Sequence, residues 1–388
     1  MSVIPYGRQS ITEEDVTAVA EVLSSTHLTQ GPEIEKFELD FAKYVNSKFA
    51  VAVSNGTAAL HLSVLALDLR KGDNVICSPI TFVASANCVK YVGANLFFVD
   101  IDPDTYLLDI EKVEEIISSK PKGFFKGVIP IDFAGRAVDS EKLRALAQAN
   151  DLWILEDACH APGGFFVDSN GNAQTCGSGQ FSDLSIFSFH PVKHIACGEG
   201  GMITTNNQLL YEKLLEYRTH GITRNSVEFE NDLSVAWGLE NPPENYPLWY
   251  MEMQTLGYNY RLTDIQAALG NSQLKRADKG IERRREIAKQ YNAFFNSKDY
   301  IIRHSGSVEG HAYHLYVIEV EDRAGLYAFL REKKIFAQIH YFPVHQMPFH
   351  KNETQHQELI HSENYYKHCL SIPMFPSLSD SEIEFVLE

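Results

Sequence analysis

The chain has 388 residues, of which 44% are hydrophobic and 22% charged, enough for a large buried core and for two domains of roughly 100–250 residues each. Its formal net charge of −17 excludes nucleic acid as a general partner, because phosphate backbones are held by an excess of Lys and Arg, while leaving room for a local basic site. Its six cysteines are scattered with no Cys-x-x-Cys pair, the N-terminus has no signal-peptide core, and no run of about 18 apolar residues occurs, so the sequence reads as cytoplasmic, in a reducing compartment, with no membrane span.

Residues Thr12 to Leu23 follow helical spacing with acids in the first turn, and a second helix is expected from about Glu33 to Val45 after the polar loop Leu28-Thr29-Gln30-Gly31-Pro32. The apolar run Phe49–Val53 reads as a buried strand. It runs into Ser54-Asn55-Gly56-Thr57-Ala58, a turn opening a helix, whose unpaired N–H groups make either a phosphate seat or an ordinary turn and cap. Further strands are expected at Asn74–Ser78, Asn95–Asp100, Gly127–Asp132 and Trp153–Glu156, with helices after Ile80 and at about Asp109–Ser119 and Ser140–Asn150 between them. Such alternation predicts a mostly parallel α/β sheet, and ligands gather at the carboxyl ends of its strands. Asp157, at the end of the fifth strand, is a helix cap or a charge partner for a cationic ring nitrogen.

Asp168–Ser178 reads as a turn and Phe181–Phe189 as a strand delivering Ser188 and Lys193 to Gly198-Glu199-Gly200-Gly201, after which Met202–Asn206 closes a hairpin. A lone lysine in so apolar and glycine-rich a segment has two readings: an amine that snorkels to water, or a desolvated amine poised to form a Schiff base with a carbonyl cofactor. A helix Leu209–Tyr217 leads to Arg218-Thr219-His220-Gly221. Residues 222–256 read as an irregular, acidic insertion with three prolines, acting as a flap, a partner contact or a surface loop. The domain boundary is placed at 257, dividing the chain into 1–256 and 257–388. Thr263 caps a long helix running past Arg283-Arg284-Arg285 toward Phe295, and strands near Ala312–Val320 and Phe336–His340 with helices near Arg323–Lys333, Ser362–Leu370 and from Asp380 make a smaller α+β domain. His340, His345 and His350 do not have zinc-pair spacing, and Pro343 and Pro348 break any helix that would align them, so no metal site is expected.

Taken together, Ser188-Phe189-His190-Pro191-Val192-Lys193 followed by Gly-Glu-Gly-Gly, the Glu156-Asp157-Ala158 carboxylate and the Asn55-Gly56-Thr57-Ala58 turn resemble the DegT/DnrJ/EryC1/StrS family over nearly the whole chain, from Tyr6 to about Pro376. The resemblance implies the fold type I architecture of sugar aminotransferases that use pyridoxal 5'-phosphate, cycling between its aldehyde (PLP) and amine (PMP) forms. It implies that Lys193 is the Schiff-base lysine, Asp157 the partner of the pyridine nitrogen, Phe82 the ring that stacks on the cofactor, Thr57, Ala58 and Ser188 its phosphate contacts, and His160 a neighbour of its ring hydroxyl where many members have Gln. Asn259, in Tyr-Asn-Tyr-Arg, would reach the phosphate from the neighbouring subunit of a homodimer.

Within the family the likeness is greatest to C4-aminotransferases of pseudaminic acid biosynthesis, which take an amino group from L-glutamate, by a ping-pong cycle, to a UDP-linked 4-keto-6-deoxy-N-acetylhexosamine. Tyr6, the loop Thr26-His27-Leu28-Thr29, the Arg218–Gly221 segment and Gln338-Ile339-His340-Tyr341 carry that likeness and are expected on the substrate side, with Arg8 and Arg261 as candidates for the diphosphate. Another keto sugar, dTDP-linked or aminated at C3, is the alternative. A dehydratase, which has histidine in place of the lysine, and a non-catalytic binding protein fit the motifs less well.

Overall fold

The computed structural model describes residues 3–353 and 358–388. Seven strands form the central sheet: β1 (Phe49–Val53), β2 (Asn74–Cys77), β3 (Asn95–Phe98), β4 (Phe125–Ile129), β5 (Trp153–Asp157), β6 (Leu184–Ser188) and β7 (Gly201–Thr205), in the spatial order β1-β7-β6-β5-β4-β2-β3. Pairings β2–β3, β2–β4, β4–β5 and β5–β6 are parallel, while β7 runs antiparallel to both β6 and β1. Val, Ile, Ala and Phe dominate these strands because the sheet is covered on both faces, leaving no polar face to alternate with. The carboxyl ends of β1, β2, β5 and β6 meet at one edge, as expected from the alternation of strands and helices.

Helix α1 (Glu13–Leu23) carries a capping box between Thr12 and Asp15, and α2 (Pro32–Val45) starts on a proline and ends where Asn46 turns left-handed at φ 60°. The helices that matter for the site are α3 (Gly56–Ala66) and α4 (Val83–Tyr91), each entering from the strand edge. Both are short of charge and pack inward.

The long helix expected after Thr263 is two helices. Thr263 does form a capping box with Gln266 and starts α5 (Asp264–Leu274), but the chain breaks at Arg276 (φ −120°, ψ 12°) before α6 (Ala277–Phe295). The reason is tertiary: the Arg276 guanidinium turns aside to grip the buried Asp15 carboxylate at 2.6 and 2.8 Å and the Ser10 carbonyl. Helix α5 packs on α1 and α2, whereas α6 packs on a three-stranded antiparallel sheet of Ile301–His304, Tyr316–Val320 and Cys369–Ile372. Tyr291, Tyr316, Leu370 and Phe375 are among the side chains that fill this second core, each worth about 1.5–3 kcal/mol of burial.

Several expectations shift. The strand expected from Ala312 begins only at Tyr316, and of Phe336–His340 only Ile335–Phe336 is strand, paired in parallel with Ile4–Pro5. The helix expected at Ser362–Leu370 spans Ile360–His368, and its last residues are instead the start of the strand Cys369–Ile372. The turn expected at 168–178 belongs to a hairpin, Phe165–Val167 with Ala173–Thr175, held at its tip by Asp168 accepting from the Asn170 and Asn172 N–H groups. The 222–256 insertion is not irregular throughout: Ile222–Thr223 pairs with Glu252–Met253, and a short helix, Leu233–Trp237, sets Trp237 edge-on to Trp249 at 5.0 Å.

The small sheet's layer is fastened to the large one at Asp100, just past β3. Its carboxylate accepts from the His361 and Ser362 N–H groups, both at 2.9 Å, and from the Ser362 hydroxyl, capping the helix Ile360–His368 from another element.

Candidate active site

A cavity of about 1060 Å³ opens at the carboxyl edge of the sheet. Its first wall is the start of α3. Asn55 caps the helix by accepting from the Ala58 N–H at 2.8 Å, so of the three residues expected to hold phosphate, Thr57, Ala58 and Ser188, the N–H of Ala58 is already engaged. Among the described residues the Gly56 and Thr57 N–H groups and the Thr57 hydroxyl have no acceptor in the chain and face the positive end of the helix dipole. Ser188 closes this corner, and the packing is possible only with glycine: a Cβ on Gly56 would lie 3.0 Å from Ser188 Cβ, and one on Gly201 2.5 Å from the Asn55 carbonyl oxygen. A dianionic group of phosphate size fits this seat by charge and by shape.

The opposite wall is the end of β5. Asp157 is buried; Oδ2 accepts from the Ser85 hydroxyl at 2.6 Å and Oδ1 from the Cys159 N–H at 3.1 Å, which fixes the carboxylate's orientation in the cavity. Ser85 is in turn 3.0 Å from the Thr81 hydroxyl. Phe82, immediately before α4, is exposed and stands beside the cavity with Tyr341, the ring centroids 6.4 Å apart. A flat heteroaromatic ring with a protonated nitrogen suits the space between the Asp157 carboxylate and that face.

Lys193 lies in the loop from Phe189 to Gly200 between β6 and β7, a loop pinned by Phe189 and Gly200 across its neck and by the Lys193 N–H on the His190 carbonyl. The side chain faces the cavity, and the protein packed round its amine holds the pKa below the ordinary lysine value; Cys159 and Asp157 pull the other way. His160 and Tyr341 form the floor. The Ala134 N–H donates to His160 Nδ1 at 3.2 Å, so the neutral ring carries its proton on Nε2, which lies 3.1 Å from the Tyr341 hydroxyl. Burial drives His160 well below the usual imidazole range and keeps it in that neutral form. Both nitrogens are thus engaged, and the hydroxyl whose proton remains free is that of Tyr341.

On the substrate side, Tyr6, Gln338, Ile339, His340 and Tyr341 line the cavity. Thr26, His27, Leu28 and Thr29 do not: they are exposed on a loop fastened to the start of α5, where the Leu28 carbonyl accepts from the Asp264 N–H and Thr29 pairs with Thr263. Asn259 is likewise outside this chain's cavity, paired with Thr219, while its neighbour Tyr260 lines the wall with His61. Arg8 lies over the Phe375 ring and Arg261 pairs with Val53; neither reaches the lining. His340 bonds Ser371, His345 bonds Glu363 and His350 bonds Asn87, three separate partners.

The chain matches the model of the DegT/DnrJ/EryC1/StrS aminotransferase family over residues 9–388. It belongs to that family. It is 36% identical to the spore coat polysaccharide biosynthesis protein SpsC of Bacillus subtilis, over 99% of this chain and 95% of that one, and 33% identical to GDP-perosamine synthase of Escherichia coli O157:H7, over 100% and 98%. Among solved structures it resembles Helicobacter pylori PseC, an aminotransferase involved in pseudaminic acid biosynthesis, with a TM-score of 0.86, 27% identity and coverage of 100% and 97%. As a DegT/DnrJ/EryC1/StrS member the chain is a sugar aminotransferase dependent on pyridoxal phosphate. The phosphate seat, the Asp157 carboxylate and the Lys193 amine fit that cofactor's three reactive ends.

Three contributors escape a reading of the sequence. Asn55 is legible as a cap only once the helix start is fixed. Ser85 lies 72 positions from the carboxylate it orients, and His314, 3.5 Å from Lys193 Nζ, lies 121 positions from that lysine, with no local signal at either.

Proposed function

We propose that this enzyme moves an amino group from L-glutamate to C4 of a UDP-linked 4-keto-6-deoxy-N-acetylhexosamine, for pseudaminic acid or a related surface sugar, acting as a homodimer in the cytoplasm. The observation that carries the proposal is the convergence, in one cavity, of a desolvated lysine amine, a pinned carboxylate and the N-terminus of α3 with its Gly56 and Thr57 N–H groups. When bound, pyridoxal phosphate supplies an electron sink that stabilises the carbanion left as a proton departs.

The chain's own residues then divide the work. Gly56 and Thr57 N–H groups, the Thr57 hydroxyl and Ser188 hold the phosphate. Asp157, oriented by Ser85 and the Cys159 N–H, keeps a ring proton in place by opposite charge. Lys193 Nζ, whose pKa burial holds below the ordinary lysine value, accepts a proton from the substrate carbon and returns it elsewhere. Phe82 covers the ring. The Tyr341 hydroxyl, accepting a hydrogen bond from His160 Nε2–H, donates its own O–H into the cavity.

Support for a sugar of pseudaminic acid biosynthesis comes from the likeness to PseC, and Tyr6 and residues 338–341 line the cavity where it would bind. A GDP-linked 4-keto sugar is the second reading, favoured by the 33% identity to GDP-perosamine synthase along the full length. Thr26–Thr29 and Asn259, exposed and away from this chain's own cavity, serve the site of a second copy in the proposed dimer. The division into 1–256 and 257–388 is retained as a proposal, with packing favouring a boundary between α5 and α6. The test is amination of a panel of UDP-, dTDP- and GDP-linked keto sugars with glutamate, followed by mass spectrometry. Turnover of UDP-linked 4-keto sugar is expected; exclusive use of another nucleotide ends the assignment. Lys193→Ala is expected to lose essentially all amination and all borohydride-trapped cofactor, a loss of several thousandfold or more in rate.

A further inference from the structure

Lys193 is met at the cavity floor by a histidine from the small sheet's side of the molecule. His314, two residues before the strand Tyr316–Val320, sets Nε2 at 3.5 Å from Lys193 Nζ. Its ring lies 4.3 Å from that of His160 and 5.5 Å from that of His194. Each of those neighbours spends its Nε2 elsewhere, His160 on Tyr341 and His194 on the Ala312 carbonyl, so of the three only His314 turns Nε2 to the amine. The other nitrogen of His314 is buried and has no partner among the described residues, and the ring is 5% exposed, so water does not compete for it.

The backbone that presents this ring is over-determined. Tyr313, immediately before it, sits at φ +46°, a conformation that residues with a Cβ adopt rarely and at a cost. Among the described residues the fully buried Arg284 has no carboxylate partner; its Nη1 donates to the carbonyls of Tyr313, His314 and Met374 at 3.0, 3.2 and 2.9 Å. From the other side, the Gly135 carbonyl accepts from Ala312 and the Ala134 carbonyl from Leu315, and a Cβ on Gly135 would lie 2.9 Å from Tyr313 N and 3.0 Å from His314 N. Strain, a buried cation and a glycine-only approach all serve to hold residues 312–315 in one place.

We propose that His314 is the positioning residue of the Lys193 amine: whenever that amine carries no bond to cofactor or substrate, His314 Nε2 accepts one of its N–H groups and leaves the nitrogen lone pair aimed into the cavity. The inference rests on the reading of Lys193 as the reacting amine. It adds that the aim of that amine is set from a different part of the fold than the loop that carries it. His314 can act as an acceptor because it is neutral: burial, and then the charge of Lys193, hold it well below the usual imidazole range. The other titratable groups facing the amine are Asp157 and Cys159 at the end of β5, His160 and His340 at the floor and His194 in the lysine's own loop, with Arg284 behind the histidines.

The experiment follows the amine rather than turnover. Full-length protein is freed of cofactor by treatment with glutamate and dialysis, and carbamoylation of Lys193 by cyanate is measured across pH by peptide mass spectrometry. Removing an acceptor that favours the ammonium form lowers the midpoint: His314→Phe is expected to move it down by about one pH unit, which is tenfold faster labelling at any pH below both midpoints. His314→Gln, which can place an amide oxygen near the lost nitrogen, is expected to stay within about twofold of the parent, and His314→Asn, too short to reach, to follow Phe. A midpoint that stays put in the Phe and Asn variants, or rises toward the ordinary lysine value because the site has merely loosened, overturns the proposal. If Phe fails to fold, the Asn and Gln pair decides. Amino transfer surviving in Lys193→Ala would instead remove the reading of the amine itself, a separate outcome.

Discussion

Two adjacent residues of β5 bury their carboxylates in opposite ways. Asp157 turns to the cavity with two donors, Ser85 and the Cys159 N–H. Glu156 turns to the other face, where the Gly177 N–H and the Ser182 and Ser185 hydroxyls all donate to it. Beside Glu156 lies Asp132, fully buried, whose Oδ2 has no hydrogen-bond partner among the described residues; burial and then the Glu156 charge push its carboxyl well above the usual range, so it holds its proton. One strand thus carries a carboxylate with capacity to spare and a saturated one with a protonated neighbour. The difference separates a group kept for an external cation from one that holds the layer together.

That contrast can be broken one side at a time. Asp157→Asn keeps the shape and removes the charge, and kcat is expected to fall by about 100- to 1000-fold with little change in urea stability, since the amide retains an acceptor for Ser85. Glu156→Ala leaves the buried Gly177 N–H and one of the two serine hydroxyls without an acceptor, since Ser182 and Ser185 can still bond each other at 2.7 Å, and is expected to cost about 3 kcal/mol in urea unfolding, while folded protein still binds cofactor. Smallest is the effect of Asp132→Asn. Because the folded-state pKa of Asp132 is raised, the unfolded chain releases that proton first, and stability declines as pH climbs from the ordinary carboxyl value of 3.8 toward the raised one. The slope from this group is at most about 1.4 kcal/mol per pH unit. The Asn variant is expected to lack that decline and to be at least as stable as the parent at neutral pH; a parent curve rising through that window would contradict a protonated Asp132.

The cavity wall of the large sheet was legible because its chemistry is local. Phe49–Val53 followed by Asn55-Gly56-Thr57 announces strand, turn and helix within ten residues, and Lys193 among Phe, Pro and Gly is out of place by its own neighbours. What stayed hidden depends on distant partners. The break at Arg276 carries no proline or glycine and comes from Asp15, more than 250 positions away. The hairpin 165–175 is masked by the Gly and Asn of its tip, and the strand Cys369–Ile372 by the helix that runs straight into it. His314 lies in an ordinary apolar approach to a strand, and only the folded chain brings it to the lysine. The Thr26–Thr29 loop shows the limit of motif likeness: it suggests a place by the substrate, but not which chain's cavity, and within this chain the loop is exposed and away from the lining.

The clasp at Asp100 has a further consequence. Residues 338–341 hang on the small sheet: Gln338 exchanges hydrogen bonds with Ser371, His340 bonds the Ser371 hydroxyl, and Tyr365 donates to the His340 carbonyl. Tyr365 belongs to the helix Ile360–His368, whose first turn is locked into the large sheet by the Asp100 carboxylate. The floor that residues 338–341 give the cavity is therefore held to the large sheet from Asp100, a position that does not itself line the cavity.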